Sequence, residues 1–223
     1  MIVWGGFVGG IPSASDDGGR YNANADSWTA TSITNVPSPR AYHTAVWTGR
    51  EMIIWGGWDD QDFYNTGGSY NPFTDSWTAI STTNAPTARA FHTAVLSGSE
   101  MIVWGGWNLS YFNTGGKFNL NTNSWTPTST TNAPSARWFH SAVWTGSEMV
   151  VWGGANPTGL NTGGRYCAQS SATPTPTATP TPTTTPTPTT TVTPTPRSTP
   201  TPRPRPSLAP RWEKLRRARR IFG

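Results

Sequence analysis

The sequence predicts an all-β fold of the β-propeller type, and three observations support this prediction. A short apolar run that ends in Trp-Gly-Gly occurs four times, at residues 1–6, 52–57, 101–106 and 149–154. The copies lie about 50 residues apart, which is a period typical of propeller blades. Each full unit contains four short segments of strand composition separated by turn residues, as a four-stranded blade requires.

One full unit, residues 51–99, shows where its strands are expected. Strand B is the apolar run at 52–55, whose continuous apolarity indicates a strand covered on both faces. Strand C follows at 67–70 and strand D begins at 76–78, after a turn rich in Asn, Pro and Asp. Strand A of the next blade is expected at 91–96, and a Gly-containing hairpin returns it to the next B strand.

Spacing between the units indicates which segments are structural. The distances from the second double glycine to the Trp, from that Trp to the Arg, and from the Arg to the His are 10, 12 and 3 residues in every copy. All variation falls in the B–C loop between the two double glycines, with separations of 13, 11, 10 and 10 residues. In an up-and-down sheet the B–C and D–A loops lie at the same end, so this face is the predicted place for function.

These linked features resemble the kelch repeat. They are a double glycine closing an apolar strand, an aromatic residue in strand C, a Trp in strand D, and an Arg-x-x-His segment before strand A. The resemblance covers residues 1 to about 168, and the sequence is similar to the Trp-Gly-Gly-rich kelch arrays of secreted bacterial proteins. It implies a kelch-type β-propeller in which the face with the B–C and D–A loops commonly binds the partner.

The strand count predicts a partial propeller of about 3.5 four-stranded blades, because the first unit lacks strand A and the last lacks strand D. Kelch-like rings usually have six or seven blades, so we expect further blades before Met1. Two alternatives stay open: two chains that close one ring, and a small four-bladed ring with incomplete sheets. Open blade edges also predict a tendency toward self-association.

Composition divides the chain into three parts: kelch repeats at 1–168, a Thr/Pro-rich linker or stalk at 169–210, and a basic segment at 211–223. The Thr/Pro tract is predicted to be disordered. Residues 1–196 have a net charge of −3 and residues 197–223 a net charge of +8. The mildly acidic repeats argue against nucleic acid as a partner. No apolar run is long enough to span a membrane, and no signal peptide occurs in the sequence.

Candidate ligand-binding residues lie mainly in the B–C loops. Aromatic faces beside Asp and Asn can stack on a sugar or anchor a peptide, and they can also simply cap the end of a blade. The loop candidates are Trp58, Asp59, Asp60, Tyr64, Trp107, Asn108 and Tyr111. Trp138 is added because its equivalents are Ala41 and Ala90.

Two residue types recur once in each unit. Arg40, Arg89 and Arg137 can either bond loop carbonyls or line a face that grips an acidic partner, and they are kept as candidates. His43, His92 and His140 can form a metal ring, but a packing role is favoured because metal sites need converging ligands rather than one ligand per repeat. We therefore predict no metal site and no cofactor.

Three functions are compatible with the sequence. The favoured one is non-catalytic binding of an extracellular protein or glycan at the loop face, with the protein outside the cell or at its surface. The first alternative is the propeller portion of a galactose-oxidase-like copper enzyme, which draws attention to Cys167 next to Tyr166. The second is a structural spacer without a specific ligand. No catalytic residue is predicted, because the sequence contains no nucleophile motif or paired-His signature.

Overall fold

The structure, a computed structural model, describes residues 1–9 and 13–167, and in this part of the chain all regular structure is β-strand. The strands form four antiparallel sheets in strict sequence order. The bounds are β1 Ile2–Phe7, β2 Ala14–Asn22, β3 Ser27–Ala30, β4 Thr44–Trp47, β5 Met52–Trp55, β6 Gly67–Asn71, β7 Ser76–Ala79, β8 Thr93–Ser97, β9 Glu100–Trp104, β10 Gly115–Asn119, β11 Ser124–Pro127, β12 Ser141–Trp144, β13 Glu148–Trp152 and β14 Gly163–Cys167.

Each sheet is one blade, and the blades have the predicted composition. Blade 1 contains β1–β3 and lacks strand A, whereas blade 4 contains β12–β14 and lacks strand D. Blades 2 and 3 have all four strands in the order A-B-C-D. The predicted all-β, partial kelch-type propeller of about 3.5 blades is therefore confirmed for the described residues. These residues contain no helix that is long and apolar enough to cross a membrane.

Strand A begins later than the sequence predicts. The expected strand at 91–96 is observed as β8 at Thr93–Ser97, because Phe91 has φ of 59° and cannot continue a strand. The same backbone occurs at Tyr42 (φ 56°) and Phe139 (φ 52°), the equivalent positions of blades 2 and 4. The two residues before each A strand therefore belong to the D–A loop, which moves these aromatic side chains toward the loop face.

The core lies between blades rather than within one blade. At the boundary of blades 2 and 3, Ile53 and Trp55 of β5 pack with Met101 and Val103 of β9 and with Trp125 of β11. Equivalent clusters join blade 1 to blade 2 and blade 3 to blade 4. Each B strand thus has one face toward the preceding blade and one toward the next, which explains why it is apolar throughout.

The end blades each leave one such face uncovered. Trp28 of blade 1 is 53% exposed, whereas its equivalents Trp77 and Trp125 are 4% and 2% exposed. Trp152 of blade 4 is 61% exposed, whereas Trp55 in blade 2 is fully buried. The predicted Thr/Pro linker (169–210) and basic segment (211–223) lie outside the described residues.

Candidate functional site

The B–C and D–A loops meet at one end of each blade, as strand parity predicts. In blade 2 the N–H of Ala41 in the D–A loop donates to the carbonyl of Trp58 in the B–C loop at 2.8 Å, and the N–H of Trp58 donates back at 2.9 Å. The pairs Ala90–Trp107 and Trp138–Ala155 repeat this bridge in blades 3 and 4. Short two-residue ladders therefore fix the loops to one another.

The recurring arginines hold these loops from inside. Arg40 is 1% exposed, and its Nη1 donates to the carbonyls of Gly56 (3.1 Å) and Thr66 (2.9 Å) while its Nε donates to that of Ser38 (2.8 Å). Its guanidinium also lies 4.1 Å from the ring centroid of Tyr64. Arg89 and Arg137 make the equivalent carbonyl bonds. One side chain thus ties both loops of its blade together.

Of the two roles open to Arg40, Arg89 and Arg137, this arrangement shows the structural one. Each guanidinium is buried at 1% exposure and its donors are used on loop carbonyls, so the arginines position the loops and do not form their surface. Burial lowers the pKa of Arg40 and of Arg89 to about 10, which still leaves both charged at neutral pH. The structural role weighed for these residues is the observed one.

The double glycine connects each blade to the next. The N–H of Gly57 in blade 2 donates to the carbonyl of Arg89 in blade 3 at 2.8 Å, and the N–H of Gly106 makes the same bond to Arg137. At Gly105, with φ of 70°, an added Cβ would lie 2.5 Å from Cε1 of His140. Positive φ and close approach together explain why only glycine fits the repeat here.

The histidines bond and pack between blades. His92 Nε2 lies 2.8 Å from Thr44 Oγ1 of the preceding blade, and His140 Nε2 lies 2.8 Å from Thr93 Oγ1. Each ring meets the edge of a B-strand Trp of the preceding blade, with centroid distances of 5.1–5.2 Å. Burial, with the charge of Arg40 as a second cause, lowers the pKa of His43 to about 4, and burial likewise lowers that of His140 to about 4.

Within the described ranges, no three His, Cys, Asp or Glu side chains come together as metal ligands would. Cys167 instead places its Sγ 3.4 Å from a carboxylate oxygen of Glu148 on β13. The hydrogen bonds and ring contacts of the histidines between blades are those of the packing role that the sequence favoured.

An inner ring of three aromatic residues lies at the loop face. Each member is the residue directly before the His of its unit. The ring centroid of Phe91 lies 4.2 Å from that of Tyr42 and 4.6 Å from that of Phe139. The backbones are also linked, because Phe91 N–H donates to the carbonyl of Tyr42 and Phe139 N–H to that of Phe91, both at 3.2 Å. These three residues come just before the A strands β4, β8 and β12, and the A strands of adjacent blades contact one another.

A second layer of aromatic residues lies beside this ring and contains the predicted tryptophans. Trp58 is buried against Phe63, and Trp107 lies 5.2 Å from Phe63 and 5.6 Å from Trp138. The Trp138–Ala155 bridge reverses the Ala–Trp order of blades 2 and 3. In blade 4 the Trp of this pair therefore comes from the D–A loop, whereas in blades 2 and 3 it comes from the B–C loop.

Several polar candidates form hydrogen bonds within the loops of this face. Asp59 accepts hydrogen bonds from the N–H groups of Gln61 and Asp62 and from the Tyr64 hydroxyl. Burial first, and then this bond, raises the pKa of Tyr64 to about 12. Asn108 Nδ2 donates to the carbonyl of Ala88 at 2.9 Å. The other two candidates are partly exposed: Asp60 at the loop tip with φ of 89°, and Tyr111, whose ring lies 5.9 Å from that of Trp138.

Three exposed apolar side chains of this face are residues that the sequence did not single out. Tyr42, Leu109 and Phe139 are 36%, 66% and 55% exposed, and all three have positive φ. We name these three residues the apical patch. The signal available in the sequence was the aromatic residue two positions after each Arg, which was instead assigned to strand A. No signal in the sequence distinguishes Leu109 from other loop residues.

Comparison with known families agrees with this architecture. The family model described as the KLHDC2/KLHL20/DRC7 Kelch-repeats domain matches residues 1–154 and, in a second match, residues 69–203. The chain belongs to the kelch-repeat family. Kelch domains generally serve as non-catalytic interaction modules, which agrees with a loop face built from packed aromatic residues. A search of curated proteins found no match.

Proposed function

We propose that this kelch domain binds a partner protein through its B–C and D–A loop face, with the apical patch as the central contact. The observation that carries this proposal is the exposure of three apolar side chains, Tyr42, Leu109 and Phe139, on loops that are rigidly cross-bonded. Large apolar side chains exposed on one face of a fixed scaffold are typical of a protein-binding hot spot.

The polar groups of the face favour a protein over a glycan as the ligand. A sugar is recognised by several hydrogen bonds to its hydroxyl groups, in addition to stacking on an aromatic ring. Here the Asp59 carboxylate and the Tyr64 hydroxyl are already bonded inside their own loop, and the Asn108 amide is bonded to the neighbouring D–A loop. An apolar surface with few uncommitted hydrogen-bonding groups suits a complementary apolar side chain of a protein.

The experiment uses two variants that replace exposed apolar side chains by the same polar residue at opposite ends of the blades. The first replaces Tyr42, Leu109 and Phe139 together by Asn, which removes the apolar surface and tolerates positive φ better than other side chains. The control is Phe73→Asn, because Phe73 is 82% exposed and lies in the C–D turn at the opposite end of blade 2. Both variants and the unmodified chain are tested on arrays of surface proteins and glycans.

We expect protein ligands that bind the unmodified chain and Phe73→Asn alike and bind the triple variant at least roughly tenfold more weakly. Ligands bound equally by all three proteins would show that this face is not the site. Glycan ligands lost in the triple variant would favour the sugar alternative. A chain that binds nothing on either array would favour a structural spacer.

We further propose that the protein acts outside the cell or at its surface. The supporting observation is the Thr/Pro tract after the repeats, whose composition is typical of an extended stalk. Protease treatment of intact cells that produce the tagged chain tests this location. Removal of the tag without cell lysis supports it, and full protection of the tag contradicts it.

A further inference from the structure

The open edge of β14 in blade 4 carries a groove whose equivalents in blades 2 and 3 are filled. In those blades the groove contains the strand D tryptophans Trp77 and Trp125, which are 4% and 2% exposed. Blade 4 has no strand D among the described residues. The groove is lined by Trp104, Ser129, Pro134, Met149, Gly164 and Tyr166.

The groove has the same walls as the filled ones. Trp77 packs 5.4 Å from Trp4 of the preceding blade and 5.0 Å from Tyr70, and its ring lies over Gly68 beside Pro37. In blade 4, Trp104, Tyr166, Gly164 and Pro134 occupy the equivalent places. The walls of a site for an indole ring are thus complete, and the described residues supply every part of it except the indole ring.

The groove also has matching hydrogen-bonding groups. In blade 2 the Trp77 Nε1 donates to the carbonyl of Ser32, while Asp75 accepts from the N–H of Ser32 and from the hydroxyl of Tyr70. Ser129 occupies the position of Ser32 in the blade 4 groove, and its backbone N–H faces the hydroxyl of Tyr166. An incoming Asp can therefore accept from both groups, as Asp75 does.

The backbone of β14 provides the remaining contacts. In blades 2 and 3 the carbonyls of Gly67 and Gly115 accept hydrogen bonds from residues just after strand D. Backbone groups alternate in direction along a strand. Gly163 of β14 is the equivalent of Gly67, and Arg165 lies two residues after it. The N–H and carbonyl of Arg165 therefore face the open edge of β14. Such an edge is a template for an added antiparallel strand.

The sequence that follows β14 differs from that of the strand D segments. The strand D tryptophan lies seven residues after the aromatic residue of strand C in all three complete pairs, and that spacing from Tyr166 gives Thr173. The next residue, Pro174, is equivalent to Thr29 of β3, which pairs with Arg20, and Arg20 is the equivalent of Arg165. Proline has no N–H to donate to the Arg165 carbonyl.

We propose that the blade 4 groove binds an extended strand from another protein that carries the sequence Asx-Ser-Trp-Thr. The strand adds antiparallel to β14, its Trp enters the groove between Trp104 and Tyr166, and its Asx side chain bridges Ser129 and Tyr166. The occupant is a separate polypeptide rather than a second folded copy of this chain, because the strand D segments of blades 1, 2 and 3 are already paired with strand C in their own sheets. This site lies on the sheet edge and is independent of the apical patch.

The test measures binding of a labelled peptide to the full chain by fluorescence anisotropy. The peptide has the sequence of residues 73–81 (Phe-Thr-Asp-Ser-Trp-Thr-Ala-Ile-Ser), because Tyr166 matches Tyr70 of that blade. We expect saturable binding that becomes at least roughly thirtyfold weaker when Ala replaces the Trp of the peptide. Amide exchange at Arg165 and Cys167 should slow when the peptide is bound.

Two variants of the chain separate strand addition from general stickiness. Arg165→Pro removes the outward N–H of β14, and we expect it to weaken binding at least roughly tenfold. Arg165→Ala keeps this N–H and should bind like the unmodified chain. The proposal is overturned if no binding occurs up to about 1 mM peptide, or if the Trp and Ala peptides bind equally. If Arg165→Pro does not fold, the amide exchange of the unmodified chain decides instead. Exchange at Arg165 and Cys167 that is the same with and without bound peptide overturns the proposal.

Discussion

Mild acid should destabilise the kelch domain because its histidines are buried uncharged. His43, His92 and His140 each lie between two blades, and burial depresses the pKa of all three below the ordinary value of 6.5. The unfolded chain therefore binds more protons than the folded chain between about pH 4 and pH 6.5. The free energy of unfolding should be highest above about pH 7 and should fall as the pH falls through this window.

The size of this effect follows from the pKa values. For a histidine whose pKa is about 4 in the folded state and about 6.5 in the unfolded state, lowering the pH from 7.5 to 5 costs about 2 kcal/mol. His43 and His140 together therefore account for about 4 kcal/mol. The shift at His92 has the same sign and adds to this loss.

Urea unfolding followed by tryptophan fluorescence at pH 7.5 and pH 5 measures this difference. The matched variant is His140→Gln, which cannot take up a proton but keeps a polar group near Thr93 Oγ1. We expect this variant to lose about 2 kcal/mol less than the unmodified chain over the same pH change. An unfolding free energy that does not change between pH 7.5 and pH 5 would refute the reasoning, as would equal acid sensitivity in the variant.

Two further predictions concern the loop framework, and thermal or urea unfolding measures both. Arg89→Met should lower the free energy of unfolding by about 3 kcal/mol or more, because it leaves several buried carbonyls without donors. The exposed Arg50→Met should change it by less than about 0.5 kcal/mol, and equal effects would contradict the assigned role. Gly105→Ala should cost about 3 kcal/mol or more, because its Cβ would collide with His140. Gly98→Ala has positive φ but open space around it, so it should cost only about 1 kcal/mol, and a similar loss in both variants would show that collision is not the cause.

The sequence predicts the blades well because their pattern reflects contacts that repeat. Trp55, Trp77 and Gly56 recur from blade to blade since each contacts an equivalent partner in a neighbouring blade. Strand parity was likewise sufficient to place the B–C and D–A loops at one end.

The surface of the site was harder to predict, for two physical reasons. Arg40 was a candidate contact because its recurrence alone does not distinguish a buried donor from an exposed one. Phe91 was assigned to a strand because an aromatic residue near β-branched residues suggests one, whereas its positive φ is imposed by the loop. The exposure of Leu109 and Phe139 depends on how adjacent blades come together, which no single repeat encodes.

The cross-blade bonds have a consequence for how such an array changes in length. The N–H groups of Ser32 and Ser81 donate to Asp75 and Asn123 of the following blade. The double glycines of blades 1, 2 and 3 likewise donate to the Arg carbonyl of the blade after them. Every unit thus carries groups that bond to its successor and groups that bond to its predecessor. Duplication or loss of one whole unit leaves all internal contacts with their usual partners. Repeat number is therefore free to change in a single genetic step, whereas a change within a unit must suit two neighbours at once.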